Sequence, residues 1–129
     1  MKKKSYKQIR QMHEDLDDEP RMNKCFTCPK KHSLERHHAL IYGGRKVEES
    51  YAIIALCGEC HRGNSGTIYR EVDLVCKLAA ITMGREHLEK NYPKCNWLQE
   101  KLRYENELVD LINIELCSNE QLGGSRNAK

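Results

Sequence analysis

The sequence predicts an α+β fold, with short strands in its first half and helices in its second half. Two runs rich in Ile, Leu and Tyr, residues 38–42 and 51–56, have the composition of strands, and Gly43 and Gly44 mark a turn or loop between them. From residue 72 onward, apolar residues recur at helical spacing. Two Cys-x-x-Cys pairs frame the predicted strands, so the first half of the chain carries most of the chemistry.

Three helices are predicted outside the strands. A short one lies in the first 24 residues, ending near Pro20, and another covers residues 72–82 until Gly84 interrupts it. The last begins at Asn96, a good N-cap with Gln99 three positions on. Its apolar stripe consists of Leu98, Leu102, Leu108, Val109, Ile112 and Leu116. Such a stripe is usually a core face, but a homodimer formed through this C-terminal helix is the alternative.

The composition indicates a small, polar chain whose thin core favours an added stabilising element such as a metal. It has 129 residues, 39% apolar, 32% charged and 6% aromatic, which allows only a thin core. No apolar run approaches a membrane span and no signal core follows the N-terminus, so we expect no membrane partner and a cytoplasmic location. In that compartment, paired cysteines indicate metal more often than disulfides.

The two cysteine pairs predict a structural zinc site. Cys25 and Cys28 form one pair, and Cys57 and Cys60 form the other. Two thiolates at this spacing reach one ion from a tight knuckle, and two knuckles complete a tetrahedral site. The remaining cysteines have no such spacing and are interpreted as lone small hydrophobes or surface thiols: Cys76, Cys95 and Cys117.

Three histidines lie close to this framework. His37 and His38 are adjacent between the knuckles, and His61 follows the second knuckle directly. They could be spare zinc ligands, satisfied surface residues or a second site. Neighbouring residues of a strand point to opposite sides of it. This alternation favours two separate roles for the pair: one histidine binds a metal together with His61, and the other acts on a water molecule.

The segment ERHHALIYGGRKVEESYAIIALCGECHRGNSG, with the first knuckle before it, resembles the HNH (ββα-metal) nuclease family. The layout is similar to small phage-encoded members and to endonuclease VII-type resolvases, and the resemblance covers roughly residues 25–83. It implies a small treble-clef-like core held by structural Zn²⁺. It also implies that His37 and His61 ligate a catalytic divalent ion such as Mg²⁺, with His38 as the general base.

One position departs from the family pattern. The middle Asn of the family, whose side chain pins the loop carrying the general base, is Ala52 here. The resemblance then requires support from the backbone, Glu49 or Ser50. The ligand expected one helical turn after His61 falls on Ser65, with Asn64 as a substitute.

The chain is thus divided into an N-terminal arm (residues 1–24), a zinc-binding HNH-like domain (25–92), a C-terminal helix packing on it (93–117) and a disordered tail (118–129). Residues 21–70 hold nine basic and four acidic residues, a balance that attracts a polyanion. The side chains expected to contact nucleic-acid phosphates are Arg36, Arg45, Lys46, Arg62 and Arg70.

The predicted function is that of a metal-dependent DNA endonuclease, a phosphodiester hydrolase of HNH type. The resemblance further implies that it is encoded by a phage or prophage and acts in the cytoplasm of a bacterial host cell. A neutral imidazole can accept a proton from water, and a divalent ion can stabilise the phosphate charge. The alternative is a zinc-stabilised DNA-binding or recombination-accessory module with weak or no catalysis, which Ala52 favours. A purely structural zinc protein ranks third, because it leaves the three histidines unexplained.

Overall fold

The computed structural model describes residues 3–62 and 67–127 and shows an α+β protein. Within these residues, four helices and four short strands follow one another, and their bounds are α1 Tyr6–Leu16, β1 Leu34–His38, β2 Ile41–Tyr42, β3 Arg45–Lys46, β4 Ile53–Cys57, α2 Gly58–Arg62, α3 Thr67–Asn91 and α4 Trp97–Asn127. Two 3₁₀ turns, Pro20–Asn23 and Ser50–Ala52, precede β1 and β4. The α+β prediction is therefore confirmed.

Strands β1 and β4 form an antiparallel two-stranded sheet that carries the histidine pair. Leu34 lies opposite Cys57 at one end, and His38 lies opposite Ile53 at the other. The chain between them forms a second small sheet, in which Ile41 pairs with Lys46 across the turn. Gly43 and Gly44 both have positive φ, which glycine adopts without steric cost, so the predicted turn is present.

Strand β4 is buried on both faces, which explains its uninterrupted apolar sequence. Ile54 and Leu56 belong to a core shared with α3 and with Trp97 of α4. Ile53 and Ala55 belong to a second core, packed against Met12 and Leu16 of α1 and Met22. The N-terminal helix therefore forms an integral layer of the fold. Its start at Tyr6 is set by a capping box between Ser5 and Gln8.

Several boundaries differ from the sequence prediction. The predicted strand 38–42 is divided in the structure. His38 ends β1, Ala39 and Leu40 lie between the strands, and Ile41–Tyr42 form β2. Helix α4 starts after Asn96, whose side chain accepts a hydrogen bond from the Gln99 amide (3.0 Å), as expected. It continues to Asn127, whereas the tail 118–129 was predicted to be disordered; residues 128–129 lie outside the described part of the chain. Once a helix is nucleated, each added residue gains a hydrogen bond at little further cost.

Gly84 does not interrupt α3, contrary to the prediction. It lies within an unbroken helix and faces the ring of Tyr51, where an added Cβ would fall 2.1 Å from Cδ1. The glycine therefore serves a packing requirement between α3 and the turn before β4. The sequence shows the glycine but cannot show which ring approaches it.

The apolar stripe of α4 is exposed. Helices α3 and α4 pack on each other, but five stripe residues remain between 42% and 53% accessible: Leu98, Leu102, Val109, Ile112 and Leu116. The expectation that the stripe is a core face is therefore wrong for these five residues. No helix in the described part of the chain is long and apolar enough to cross a membrane.

Candidate metal centre and histidine site

The four knuckle cysteines converge on one point. The Sγ atoms of Cys25, Cys28, Cys57 and Cys60 all lie within 4.8 Å of one another, and those of Cys28 and Cys57 are 3.6 Å apart. Tetrahedral zinc with bonds of about 2.3 Å requires sulfurs about 3.8 Å apart, which the cluster approaches. All four thiols are free of disulfides. The donor set and spacing therefore fit a structural metal such as zinc.

Backbone pairing places the knuckles next to each other. The amide of Phe26 donates to the carbonyl of Ala55 in β4 (2.8 Å), which attaches the first knuckle to that strand. Cys57 is the last residue of β4, and Cys60 lies in the short helix α2 that follows. Strand β4 thus brings together two knuckles that are separated by about thirty residues of sequence.

The thiols favour a shared cation. Burial opposes ionisation of Cys25, but the backbone amides of Cys57 and Thr27 outweigh it and lower its pKa to about 6. The Thr27 hydroxyl favours the Cys60 thiolate, yet burial and the neighbouring sulfurs prevail and raise its pKa to about 12. The Cys25 thiolate therefore forms easily, whereas ionisation of Cys60 is hindered, and a divalent ion bound to both sulfurs removes this conflict.

The two adjacent histidines of β1 point to opposite sides of the strand, as the alternation rule predicts. The ring of His37 faces the ring of His61, with centroids 5.1 Å apart. The Nε2 atom of His37 is buried, has no hydrogen bond among the described residues, and lies 3.9 Å from Oδ1 of Asp73 in α3. Burial, followed by the charge of His61, lowers the pKa of His37 to about 4, so its imidazole is neutral at pH 7.

A carboxylate supports His61 from behind. The Nδ1 atom of His61 lies 2.7 Å from Oε1 of Glu35, and Oε2 of the same carboxylate accepts a hydrogen bond from Arg62. The hydrogen bond with His61 lowers the pKa of Glu35 most, and the hydrogen bond from Arg62 lowers it further. Metal-binding histidines commonly contact a carboxylate through the nitrogen that does not bind the metal. The sequence prediction missed Glu35 and Asp73, because neither belongs to a spaced motif with the histidines.

His38 lies in a different environment on the other face. Its Nε2 atom is 3.1 Å from Oε2 of Glu48, and its ring centroid is 6.3 Å from that of His13 in α1. Glu49 and Ser50, which were expected to hold the loop of the general base, make other contacts. Glu49 binds Lys4 and Tyr92, and the carbonyl of Ser50 accepts a hydrogen bond from Arg21. The glycine turn could have indicated Glu48, because it folds residues 45–48 back towards β1. Nothing in the sequence indicated His13.

The five predicted phosphate contacts differ in availability. Arg36 is bound to Asp17 and His13, Arg62 to Glu35, and Arg70 to Asp73 and Glu107. Arg45 and Lys46 are exposed at the tip of the β2–β3 hairpin, and among the side chains that the structure describes they form no ion pair. Asn64 and Ser65 lie outside the described residues.

Comparisons with known proteins give no relative from which to transfer a function. No protein-family model, no curated protein and no solved structure matches this chain. The chemistry of the site therefore rests on its own geometry.

Proposed function

We propose that this protein is a metal-dependent endonuclease of the HNH (ββα-metal) type, built on a treble-clef-like zinc core, which hydrolyses phosphodiester bonds in DNA. One arrangement carries the proposal: the His37 and His61 rings lie 5.1 Å apart beside the four-cysteine cluster, and His38 is the next residue on the same strand. The direct test is cleavage of plasmid and branched DNA with added Mg²⁺ or Mn²⁺.

The residues around His37 fit a catalytic divalent ion. A buried imidazole nitrogen without a hydrogen bond is unfavourable unless something occupies it, and His37 Nε2 is in this position. His61 is backed by Glu35, and the Asp73 carboxylate lies beside the pair as an oxygen donor. A divalent ion there would supply charge neutralisation at the phosphate and at the leaving oxygen.

His38 is assigned as the general base. A carboxylate only accepts hydrogen bonds, so Glu48 orients the ring with its proton on Nε2 and leaves Nδ1 with a lone pair for a water proton. Glu48 thereby takes the role that the family gives to the middle Asn. Ala52, which stands at that position, is completely buried in the core.

The hairpin tip is assigned as the main phosphate contact. Replacing Arg45 and Lys46 together by Ala should weaken DNA binding and lower the slope of log affinity against log salt by about two, since each phosphate contact contributes about 0.9. The control is the double variant Arg85→Ala with Lys90→Ala, which removes the same amount of positive charge from the C-terminal part of α3. Fluorescence anisotropy over a salt series measures both variants, and equal slopes for the two double variants would remove the hairpin from the interface.

The competing function is a DNA-binding or recombination-accessory module with weak or no catalysis. Ala52 favours it, because the residue that normally fixes the general base is missing. Zinc-loaded wild type that binds DNA but cuts neither plasmid nor branched substrates with any divalent ion would establish this alternative.

The exposed stripe of α4 fits a second copy of this chain. Five of its residues occupy the a and d positions of a heptad repeat: Leu98, Leu102, Val109, Ile112 and Leu116. Their successive spacings are four, seven, three and four positions. Within α4, residues 97–103 hold two basic and one acidic residue, whereas residues 104–116 hold four acidic and no basic ones. An antiparallel pair places each basic half against an acidic half.

This dimer predicts a position-specific effect. Val109→Asp should raise the dimer dissociation constant roughly 100-fold, because twofold symmetry buries two unpaired carboxylates at the seam. Ile114→Asp is the matched control, since Ile114 is 60% exposed on the same helix but lies off the seam. Sedimentation equilibrium distinguishes the two variants. A monomeric wild type, or equal effects of both substitutions, would contradict the dimer.

A further inference from the structure

His38 belongs to a second group of side chains whose donor atoms are suited to binding a metal. One ring nitrogen each from His13 and His38 and one carboxylate oxygen of Glu48 lie within 4.8 Å of one another. They come from three separate segments: α1, the end of β1 and the residues after β3. The His38 and Glu48 side chains are 16% and 31% exposed, so an ion can reach them from solvent.

The donor chemistry matches zinc. Two imidazoles and one glutamate form a three-ligand set that leaves a fourth position for water. Arg36 donates to Nδ1 of His13 (2.8 Å), and a guanidinium can only donate, so that nitrogen carries a lone pair. If an ion takes the ring, Arg36 keeps the His13 carbonyl and the Asp17 carboxylate as acceptors.

We propose that His13, His38 and Glu48 form an inhibitory site for a divalent transition-metal ion such as Zn²⁺, separate from the four-cysteine centre. The inhibitory part rests on the proposed nuclease function. A neutral imidazole that binds an ion through Nε2 carries its proton on Nδ1. His38 then has no lone pair left to accept a proton from water, so occupation of this site stops the general base.

Zinc stoichiometry tests the site without any activity measurement. Protein with its cysteine centre filled is dialysed against excess Zn²⁺, in a His61→Ala background that removes the other histidine site, and the bound zinc is counted by mass spectrometry. One further zinc per chain should bind, and His13→Ala or Glu48→Gln should lose it. His32→Ala, which changes an exposed histidine elsewhere, should keep it. Arg36→Gln should tighten binding, because it removes a neighbouring positive charge.

The results separate this inference from the proposed function. No further zinc, or a further zinc that survives both His13→Ala and Glu48→Gln, overturns the site. If wild type cuts DNA, added Zn²⁺ should inhibit it, and His13→Ala should relieve the inhibition several-fold with little change in zinc-free activity. Equal inhibition of both proteins overturns the inhibitory role. If wild type cuts no DNA, the nuclease proposal fails together with that role, and stoichiometry still decides the metal site.

Discussion

His38→Ala should reduce DNA cleavage by a factor on the order of 10²–10⁴, the usual cost of removing a general base. The zinc of the cysteine centre, the thermal stability and the DNA affinity should stay close to wild type. The ring is partly exposed at the end of β1, and its polar contact within the described structure is Glu48. Initial rates on supercoiled plasmid with Mg²⁺ and no free zinc measure the effect.

Two comparisons make that result specific. His32→Ala removes an exposed histidine of the same knuckle-to-strand segment and should leave cleavage unchanged. His61→Ala should lose cleavage through weaker ion binding, so excess Mn²⁺ should restore part of it. The same addition should not restore His38→Ala, because metal does not replace a missing base. Cleavage by His38→Ala at the wild-type rate would contradict the assignment.

Cys57→Ser should abolish zinc binding and most of the fold. Structural zinc contributes about 10–16 kcal/mol in small zinc domains, comparable to or larger than the about 5–15 kcal/mol that stabilises a typical domain. Loss of one ligand from a four-sulfur site should therefore leave the chain largely unfolded. Zinc per chain and the circular dichroism melting curve report the two effects.

The variant Cys76→Ser distinguishes the effect of losing the metal from the effect of disturbing core packing. Cys76 is also completely buried, but it lies outside the sulfur cluster, and burial raises the pKa of its thiol to about 12. Placing a hydroxyl there should cost about 1–3 kcal/mol while the zinc stays bound. A wild-type protein that is folded, reduced and free of zinc would contradict the structural role of the metal.

The sequence supports those parts of the site that depend on local rules. The spacing of the cysteines predicted a cluster that the structure assembles, and strand alternation predicted that His37 and His38 face apart. Strand alternation and the spacing within each cysteine pair concern residues a few positions apart, whereas strand β4 joins the two pairs across about thirty residues of sequence. The assignment of a catalytic ion to His37 and His61 depends on a family resemblance and stays a prediction.

The parts that escaped prediction all depend on contacts between distant segments. Glu48 and His13 reach His38 from 10 and 25 positions away, through a hairpin and a separate helix. Gly84 was interpreted by helix propensity alone, although the ring of Tyr51 determines its role. Helical periodicity identified the stripe of α4, but periodicity does not say whether a protein's own core or a second chain covers it.

The pairing of β1 with β4 has a consequence for specificity. A slip of β1 by one residue would turn His38 towards His61 and Asp73, and His37 towards His13 and Glu48, exchanging their roles. Apolar patterning does little to prevent such a slip, because all five residues of β1 are only half-buried. The constraint lies at the end of the ladder, where Leu34 pairs with Cys57 of the sulfur cluster. An ion that joined Cys28, six residues before Leu34, to Cys57 would therefore restrain the strand register, and with it which histidine meets which partner.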